Sequence, residues 1–451
     1  MTDMKIASEL RLKIEYVPPG SLSANELNPK QHPDRQINAL VRSIKEVGFL
    51  VPVIIDGQST IYAGHARVLA ALKAGVSMIP IVRVEHLNQH QLRALMLADN
   101  RLAELGQTDP KLLAENLKLL TVGGIDLDIE AATAFTMGEI DAIIGESEEA
   151  VEEDPDDEPV EPEKGPAVNQ PGDLWELGGR HRLICGSSLD PAIWTQLMGG
   201  EKAAMSCSDF PYNVKIRGNV STRSDASEFV MASGEMDRDE FTDFEETTFR
   251  NIAAHSLPAS LHFAFTDWRH LLEMQTAGEA VFSGLKNVVV WDKGRGGMGS
   301  LYRSAHELIF VWKLGRGRSR NNICLGRYGR NRENIFRYPG VGTFRHSDEG
   351  DLLALHCTPK PVRMIADAIL DVSARGDIVI DAFLGSGTTI IAAERVGRRC
   401  FGVEIDPHFA DIIIRRFERH SGEAAIHVVS GKTFAEVAAE RLDPAATEEA
   451  A

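Results

Sequence analysis

The chain is short of paired cysteines, long apolar runs and positive charge, and each shortage closes off a class of function. Its five cysteines, Cys185, Cys207, Cys324, Cys357 and Cys400, form no Cys-x-x-Cys pair. That spacing argues against a zinc ribbon or disulfide framework and for a reducing cytoplasm. The scattered histidines and cysteines give no ligand cluster, so no metal is expected. No segment approaches the roughly 20 apolar residues that span a bilayer. The opening Met1-Thr2-Asp3-Met4-Lys5-Ile6 lacks the apolar centre of a secretory leader. The formal charge of −18 sits awkwardly with a nucleic-acid partner, because phosphate contacts use Lys and Arg.

That charge is unevenly spread. Residues 146–163 hold 11 carboxylates and no base. Between Lys313 and Arg337, by contrast, stand Arg316, Arg318, Arg320, Arg327, Arg330 and Arg332 against one acid, Glu333. A local basic stretch keeps nucleic acid in play, since net charge says little about where charge sits.

A chain of 451 residues is expected to hold two or three domains. The like charges and prolines of the acidic tract oppose packing, which marks 146–168 as a linker. It divides a first domain, 1–145, from a second, 169–441, with a disordered tail at 442–451. In the first, Val51–Ile55 and Ser59–Ala63 read as strands of a hairpin across Asp56-Gly57. His65–Ala74 reads as a helix stopped by Gly75, Ile79–Val84 as a strand, and Gln89–Leu105 as a helix with Leu92, Leu95, Met96 and Leu102 at helical spacing.

In the second domain, Asp377–Asp381 reads as a short buried strand running into a Gly-rich turn, Phe383-x-Gly385-x-Gly387. A helix, Thr388–Val396, and a strand, Arg399–Glu404, follow. This β-turn-α-β unit seeds a parallel, doubly wound sheet. Glycines let backbone pass close to a ligand, and the helix N-terminus offers free N–H groups. An acidic residue at the next strand end, Glu404, suits two ribose hydroxyls. Ile390 stands where a third glycine would complete the dinucleotide fingerprint, which disfavours NAD.

Asp209-Phe210-Pro211-Tyr212 asks a different question. Methylating an exocyclic amino group requires drawing its delocalised lone pair out of the ring. A carboxylate (Asp209) and a backbone carbonyl (Phe210), each accepting one N–H, would do so. Pro211 stiffens the turn, and Tyr212 offers a ring to a base flipped from the duplex. Taken alone, the same four residues also read as a strand-to-loop turn with a buried tyrosine.

Together these motifs resemble amino-group DNA methyltransferases. Asp209–Tyr212 resembles their Asp-Pro-Pro-Tyr motif, and Asp381–Thr389 their S-adenosylmethionine motif. His356-Cys357-Thr358-Pro359-Lys360-Pro361 is similar to their His-Pro-Thr-x-Lys-Pro element. The catalytic motif precedes the cofactor motif, as in the permuted β group. Thr266-Asp267-Trp268-Arg269-His270 and Gly294–Lys313, including His306-Glu307, resemble stretches of phage-type members. The resemblance implies a Rossmann-like methyltransferase domain over about 170–440. S-adenosylmethionine is the cofactor it implies, held by Asp381, Phe383, Gly385, Ser386, Gly387, Thr388, Glu404, Thr358 and Lys360. The catalytic residues it implies are Asp209, Phe210, Pro211 and Tyr212. Double-stranded DNA is the partner, with Arg316, Arg318, Arg320, Arg327 and Arg330 in the recognition region, and β-group members often form homodimers.

An Asp at the head of the catalytic motif favours adenine N6 over cytosine N4. Phe210 replaces a proline, and Cys185-Gly186-Ser187-Ser188 stands where Gly-Asp is usual. A decayed DNA-binding protein is the alternative of another class. Residues 1–145 resemble the small α+β fold of partition proteins (ParB) and sulfiredoxin, with Ala63–Ala71 in place of a nucleotide-binding Gly-Glu-Arg-Arg-x-Arg. The departures at His65 and Ala66 argue against CTP hydrolysis, while His65 and Arg67 retain a place for a phosphate. Trp268 and Trp291 are expected in the core.

Overall fold

The computed structural model describes residues 12–122, 127–147, 154–157, 165–213, 231–232, 234–294, 301–326, 331–340 and 360–442. The chain divides into two compact units that part after Ser147.

The first unit contains β1 (Ile14–Val17), α1 (Asp34–Val47), β2 (Val53–Asp56), β3 (Ile61–Ala63), α2 (His65–Ala74) and β4 (Ile79–Val84). Four helices follow: α3 (Gln89–Leu105), α4 (Pro110–Val122), α5 (Ile129–Thr133) and α6 (Met137–Ser147). The sheet order is β1-β4-β2-β3, with β2 and β4 parallel and the rest antiparallel. Val53, Ile55, Ile61, Val68, Ile79 and Ile81 form its core. A reciprocal cap between Asn88 and Gln91 starts α3. Its Leu92 and Met96 are buried as the spacing predicts, but Leu102 is exposed.

The second unit holds β5 (Leu174–Leu177), β6 (His181–Cys185), α7 (Pro191–Met198), β7 (Ala203–Asp209), α8 (Arg238–Ala254), β8 (Ser256–Thr266) and α9 (Leu271–Val281). Next come β9 (Gly284–Asp292), β10 (His306–Lys313), β11 (Ile335–Arg337), α10 (Val362–Val372), β12 (Ile378–Asp381) and α11 (Thr388–Arg395). β13 (Arg399–Glu404), α12 (Pro407–Ser421), β14 (Ala425–His427) and α13 (Phe434–Leu442) complete it. Ten strands form one sheet in the order β11-β9-β10-β8-β7-β12-β13-β6-β5-β14.

The centre, β8-β7-β12-β13-β6, is parallel, as the doubly wound reading requires. β10 runs antiparallel to both β8 and β9. Two apolar layers cover the faces, one built around Trp175, Ile365 and Phe417, the other around Trp194, Phe249 and Phe310. Such coverage on both sides is what a parallel sheet needs.

Within the acidic tract, the described residues 154–157 are packed, which the sequence reading did not expect. Asp154 accepts two hydrogen bonds from the Arg395 guanidinium, at 2.6 and 2.8 Å. Asp156 pairs with Arg395 and with His420 Nδ1. Asp157 accepts the Val362 N–H at 2.8 Å, at the start of α10. Carboxylates that repel one another in isolation pack when arginines of the adjoining domain receive them. Burial pushes the Asp157 carboxyl up to about 6. Val168, placed in the linker by composition, is buried, with its N–H held by Asp411.

Candidate active site

β7 and β12 lie side by side and end at the same edge of the sheet, because they run parallel. One ends in Asp209 and the other in Asp381. The two motifs, about 170 residues apart in sequence, therefore meet. The Ser208 hydroxyl accepts the Ala382 N–H at 3.0 Å. Phe210 is buried, and its ring packs edge-on against Phe383 with centroids 5.0 Å apart. The phenylalanine that replaces a proline thus joins the catalytic motif to the Gly-rich turn.

Around Asp209 the structure gathers a charged cluster. The Lys360 ammonium donates to Asp209 Oδ2 at 2.6 Å and stands 3.1 Å from Glu307 Oε2. The Tyr212 hydroxyl lies 3.0 Å from Asp209 Oδ1 and 2.9 Å from Glu307 Oε2. Lys293 pairs with the other Glu307 oxygen. Two carboxylates and two ammonium groups are thus balanced. Asp209 remains the open member, its side chain 38% exposed against 9% for Lys360. Desolvation raises the Asp209 carboxyl above its ordinary range against the pull of Lys360, and the Glu307 charge adds to the rise. Desolvation also works to raise Glu307, but Lys360 and Lys293 outweigh it and hold that carboxyl low. Beyond Tyr212 the chain turns at Asn213, a non-glycine residue with φ 47°. Its side chain accepts the Gly234 N–H and donates to the Met236 carbonyl, both at 2.9 Å.

The Gly-rich turn is braced from within. Asp381 accepts the Phe383 N–H at 3.0 Å and the Thr389 hydroxyl at 2.6 Å. It therefore shapes the turn, and burial lifts its carboxyl to about 7. Arg416 of α12 donates to the Ser386 carbonyl, the Ser386 hydroxyl and the Thr388 hydroxyl. Glu404 accepts the Gly385 N–H at 2.7 Å and the Asp406 N–H at 2.9 Å. Burial raises it too to about 7. A Cβ added to Gly385 would meet nothing within 4 Å, so the turn has open space on that side.

Other expected site residues fall elsewhere. Arg316, Arg318 and Arg320 are exposed, but the structure does not bring them to Asp209. Asp209 is level with Phe265 on β8, whereas Lys313 pairs with Leu261, four residues back along that strand. That is a separation of about 13 Å along the sheet, and the chain continues away, with Gly317 against Ala259. The composition shows the basic run; only the antiparallel direction of β10 shows which way it leaves. Arg327, Arg330 and Thr358 lie outside the described residues. Trp291 is in the core, as expected, donating to the Tyr338 carbonyl. Trp268 is not: it is 54% exposed, with the Arg269 guanidinium 4.8 Å from its ring, just past the end of β8 on the Asp209 side.

Glu307 and Arg416 escaped the sequence reading as site residues. For Glu307 a signal existed, one acid within the apolar strand His306-Glu307-Leu308-Ile309-Phe310-Val311-Trp312. Arg416 lies on an amphipathic helix about 30 residues past the turn, where nothing local marks it. In the first unit, His65 Nε2 accepts the Asn25 N–H, and Arg67 donates to the Pro52 carbonyl. Both side chains are engaged inside the fold. Among the described residues, no group of His, Cys, Asp or Glu is placed to hold a metal ion, and no helix is long and apolar enough to cross a membrane.

Comparison with known proteins gives two matches to family models: a DNA methylase model over residues 204–415, and a ParB N-terminal domain model over residues 4–101. The ParB-like nuclease domain-containing protein YnaK of Escherichia coli (strain K12) is 38% identical over 81 residues, 18% of this chain and 93% of that protein. The type II methyltransferase M2.DpnII of Streptococcus pneumoniae is 38% identical over 63 residues, 14% of this chain and 24% of that enzyme. M.BglII of Bacillus subtilis is 31% identical over 97 residues, 22% of this chain and 26% of that enzyme. The alignments thus span about a quarter of the length of these two methyltransferases. Among solved structures, the PvuII cytosine-N4-specific DNA methyltransferase matches with a TM-score of 0.39 at 15% identity, covering 53% of this chain and 86% of that one. Residues 204–415 of the chain thus match the DNA methylase family model, and the chain carries an N-terminal domain of the ParB type.

Proposed function

We propose that the protein methylates the exocyclic N6 of adenine in double-stranded DNA, with S-adenosylmethionine as donor. The observation that carries this reading is the meeting of Asp209–Tyr212 and the 383–388 turn at adjacent strand ends, tied by Phe210 against Phe383. The open side of Gly385 and the buried Glu404 carboxyl fit a nucleoside bearing ribose hydroxyls. Phe383 to Thr388, with Glu404, would hold the cofactor, which supplies an electrophilic methyl group.

The protein's own part is orientation and proton handling. Asp209 Oδ and the Phe210 carbonyl accept the two N–H bonds of a flipped adenine and turn its lone pair outward. Tyr212 lies along the base. As the N–CH3 bond replaces the methyl's bond to sulfur, one N–H proton passes to Asp209, whose raised proton affinity suits an acceptor. No bond to the enzyme forms. On the DNA side, Trp268 with Arg269 and the connection entering β10, where Tyr302 and Arg303 are exposed, stand at the Asp209 end of the sheet. They suit stacking and phosphate contact better than Arg316–Arg320 do.

Long-read sequencing of DNA from cells expressing the protein, beside an Asp209→Ala control, tests this. N6-methyladenine at a defined motif, absent from the control, is the expected result. N4-methylcytosine would keep the chemistry and change the base. No modification in either sample would overturn the enzymatic reading.

A further inference from the structure

The Lys360 ammonium already holds one of the two Asp209 oxygens that a target amino group could use. At 2.6 Å from Asp209 Oδ2 it presents an N–H where an adenine amino group would present one. An entering base therefore competes with it for that carboxylate. Lys360 is nearly buried, enclosed by Tyr212, Phe265 and Trp291, whose ring centroids lie 5.5–5.7 Å from Nζ. A buried ammonium stripped of its only counter-ion is strongly disfavoured. Here it has a second one. Glu307 Oε2 stands 3.1 Å from Nζ, and Glu307 is itself fixed by Lys293 and Tyr212.

We propose that Glu307 is a positioning residue of the transfer reaction: it is the permanent counter-ion of Lys360, taking over the ammonium when the target amino group claims Asp209. This rests on the methyltransferase reading. It divides the labour between two carboxylates. Asp209 is the one that opens to the site, exchanges partners and changes protonation. Glu307 stays ionised and keeps the lysine neutralised throughout. When the proton from the methylated nitrogen reaches Asp209, the Lys360–Glu307 pair remains balanced, so no buried charge is left alone. The opposite displacements of the two carboxyls agree with this division.

Asp209 is faced by Lys360, by Glu307 from β10, by Tyr212, by Lys293 beyond Glu307, and by Asp381 from β12. Of these, Glu307→Gln removes one negative charge and keeps the shape. With that charge gone, Lys360 binds Asp209 alone and the Asp209 carboxyl falls. The full-length enzyme bearing Glu307→Gln should then lose roughly tenfold or more in kcat, with the KM for S-adenosylmethionine unchanged. The acid limb of its kcat–pH profile should move to lower pH. Glu307→Asp, which keeps the charge, should restore the limb to its wild-type position. A kcat loss with an unmoved limb, equal for Gln and Asp, would mean ordinary packing and would overturn the proposal, as would an unchanged enzyme.

A cycle of thermal unfolding over wild type, Glu307→Gln, Lys360→Met and the double variant gives a readout independent of activity. Losing Lys360 should cost less stability in the Glu307→Gln background than in wild type, because one of the ammonium's two counter-ions is already gone. Additive effects would overturn the pairing. Absence of methylation by the wild-type protein would instead defeat the functional reading and leave this cycle to judge the pair.

Discussion

The two domains use the same backbone device and do opposite things with it. In each, a strand end passes through a left-handed glycine into a helix: Gly64, φ 101°, before α2, and Gly387, φ 84°, before α11. Behind Gly64 stands the helix's own Arg67, 3.0 Å from where a Cβ would be, with Val53 at 3.2 Å. Its guanidinium turns back to the Pro52 carbonyl, and burial lowers its proton affinity. The first turn is thus filled by a side chain of its own helix. Behind Gly387 stands Ile413, at 3.1 Å, from a different helix. Everything polar there, Asp381, Glu404 and Arg416, braces the loop from beneath and leaves the Gly385 side open. A helix N-terminus is a ready anion site only where the protein does not plug it with its own residues. This contrast explains why a glycine pattern alone is a weak sign of ligand binding.

Substitutions at the two glycines should separate these roles. Gly387→Ala should have the largest effect. A left-handed alanine costs about 1–2 kcal/mol, and the added methyl presses on Ile413, which adds about 1–3 kcal/mol. S-adenosylmethionine binding measured by calorimetry should weaken by roughly 100-fold or become undetectable; binding within a factor of three would show that the turn tolerates a side chain. Glu404→Gln comes next and should split function from stability. The folded carboxyl, at about 7, lies above its unfolded value near 4.5. Between those values the unfolded chain has released a proton that the folded chain keeps, so stability falls as pH rises through this window and levels off above about 7. The variant should therefore lose this pH dependence of stability between about 4.5 and 7, while binding cofactor roughly tenfold or more weakly. A pH dependence of stability unchanged from wild type would show that the carboxyl carries no burial penalty. Gly64→Ala should have the smallest effect on function, leaving cofactor affinity untouched while the left-handed backbone costs the N-terminal domain about 1–2 kcal/mol and the crowding against Arg67 and Val53 about 1–3 kcal/mol more. A loss of affinity there would mean that the two turns are coupled.

What could be read from the sequence follows the range of the interactions. β4, α2, α3 and β13 are set by neighbouring residues, by apolar spacing, a capping box and a terminating glycine, and their ends agree with the sequence reading. The strand-turn-helix around Gly387 was legible for the same reason. Glu307 and Arg416 act on residues 95 and 30 positions away, so only the assembled sheet reveals them. Residues 154–157 of the acidic tract misled because repulsion within a segment is visible in sequence, whereas the arginine that quenches it, Arg395, is more than 200 residues downstream. Trp268 misled because composition favours burial of tryptophan and is blind to the end of a strand.

The pairing of β7 with β12 also sets a timetable for making the protein. β7 can pair with β8 soon after both leave the ribosome, since only a short stretch containing α8 separates them in sequence. Its other edge must wait for β12, whose Ala382 meets Ser208 across 174 residues. At about 5–20 residues per second, that edge stays bare for on the order of 10–30 s of synthesis. The strand that ends in Asp209 is thus an open template for unwanted pairing during translation. Slowed elongation between Asp209 and Asp381 should reduce soluble yield more than an equal delay placed after Glu404.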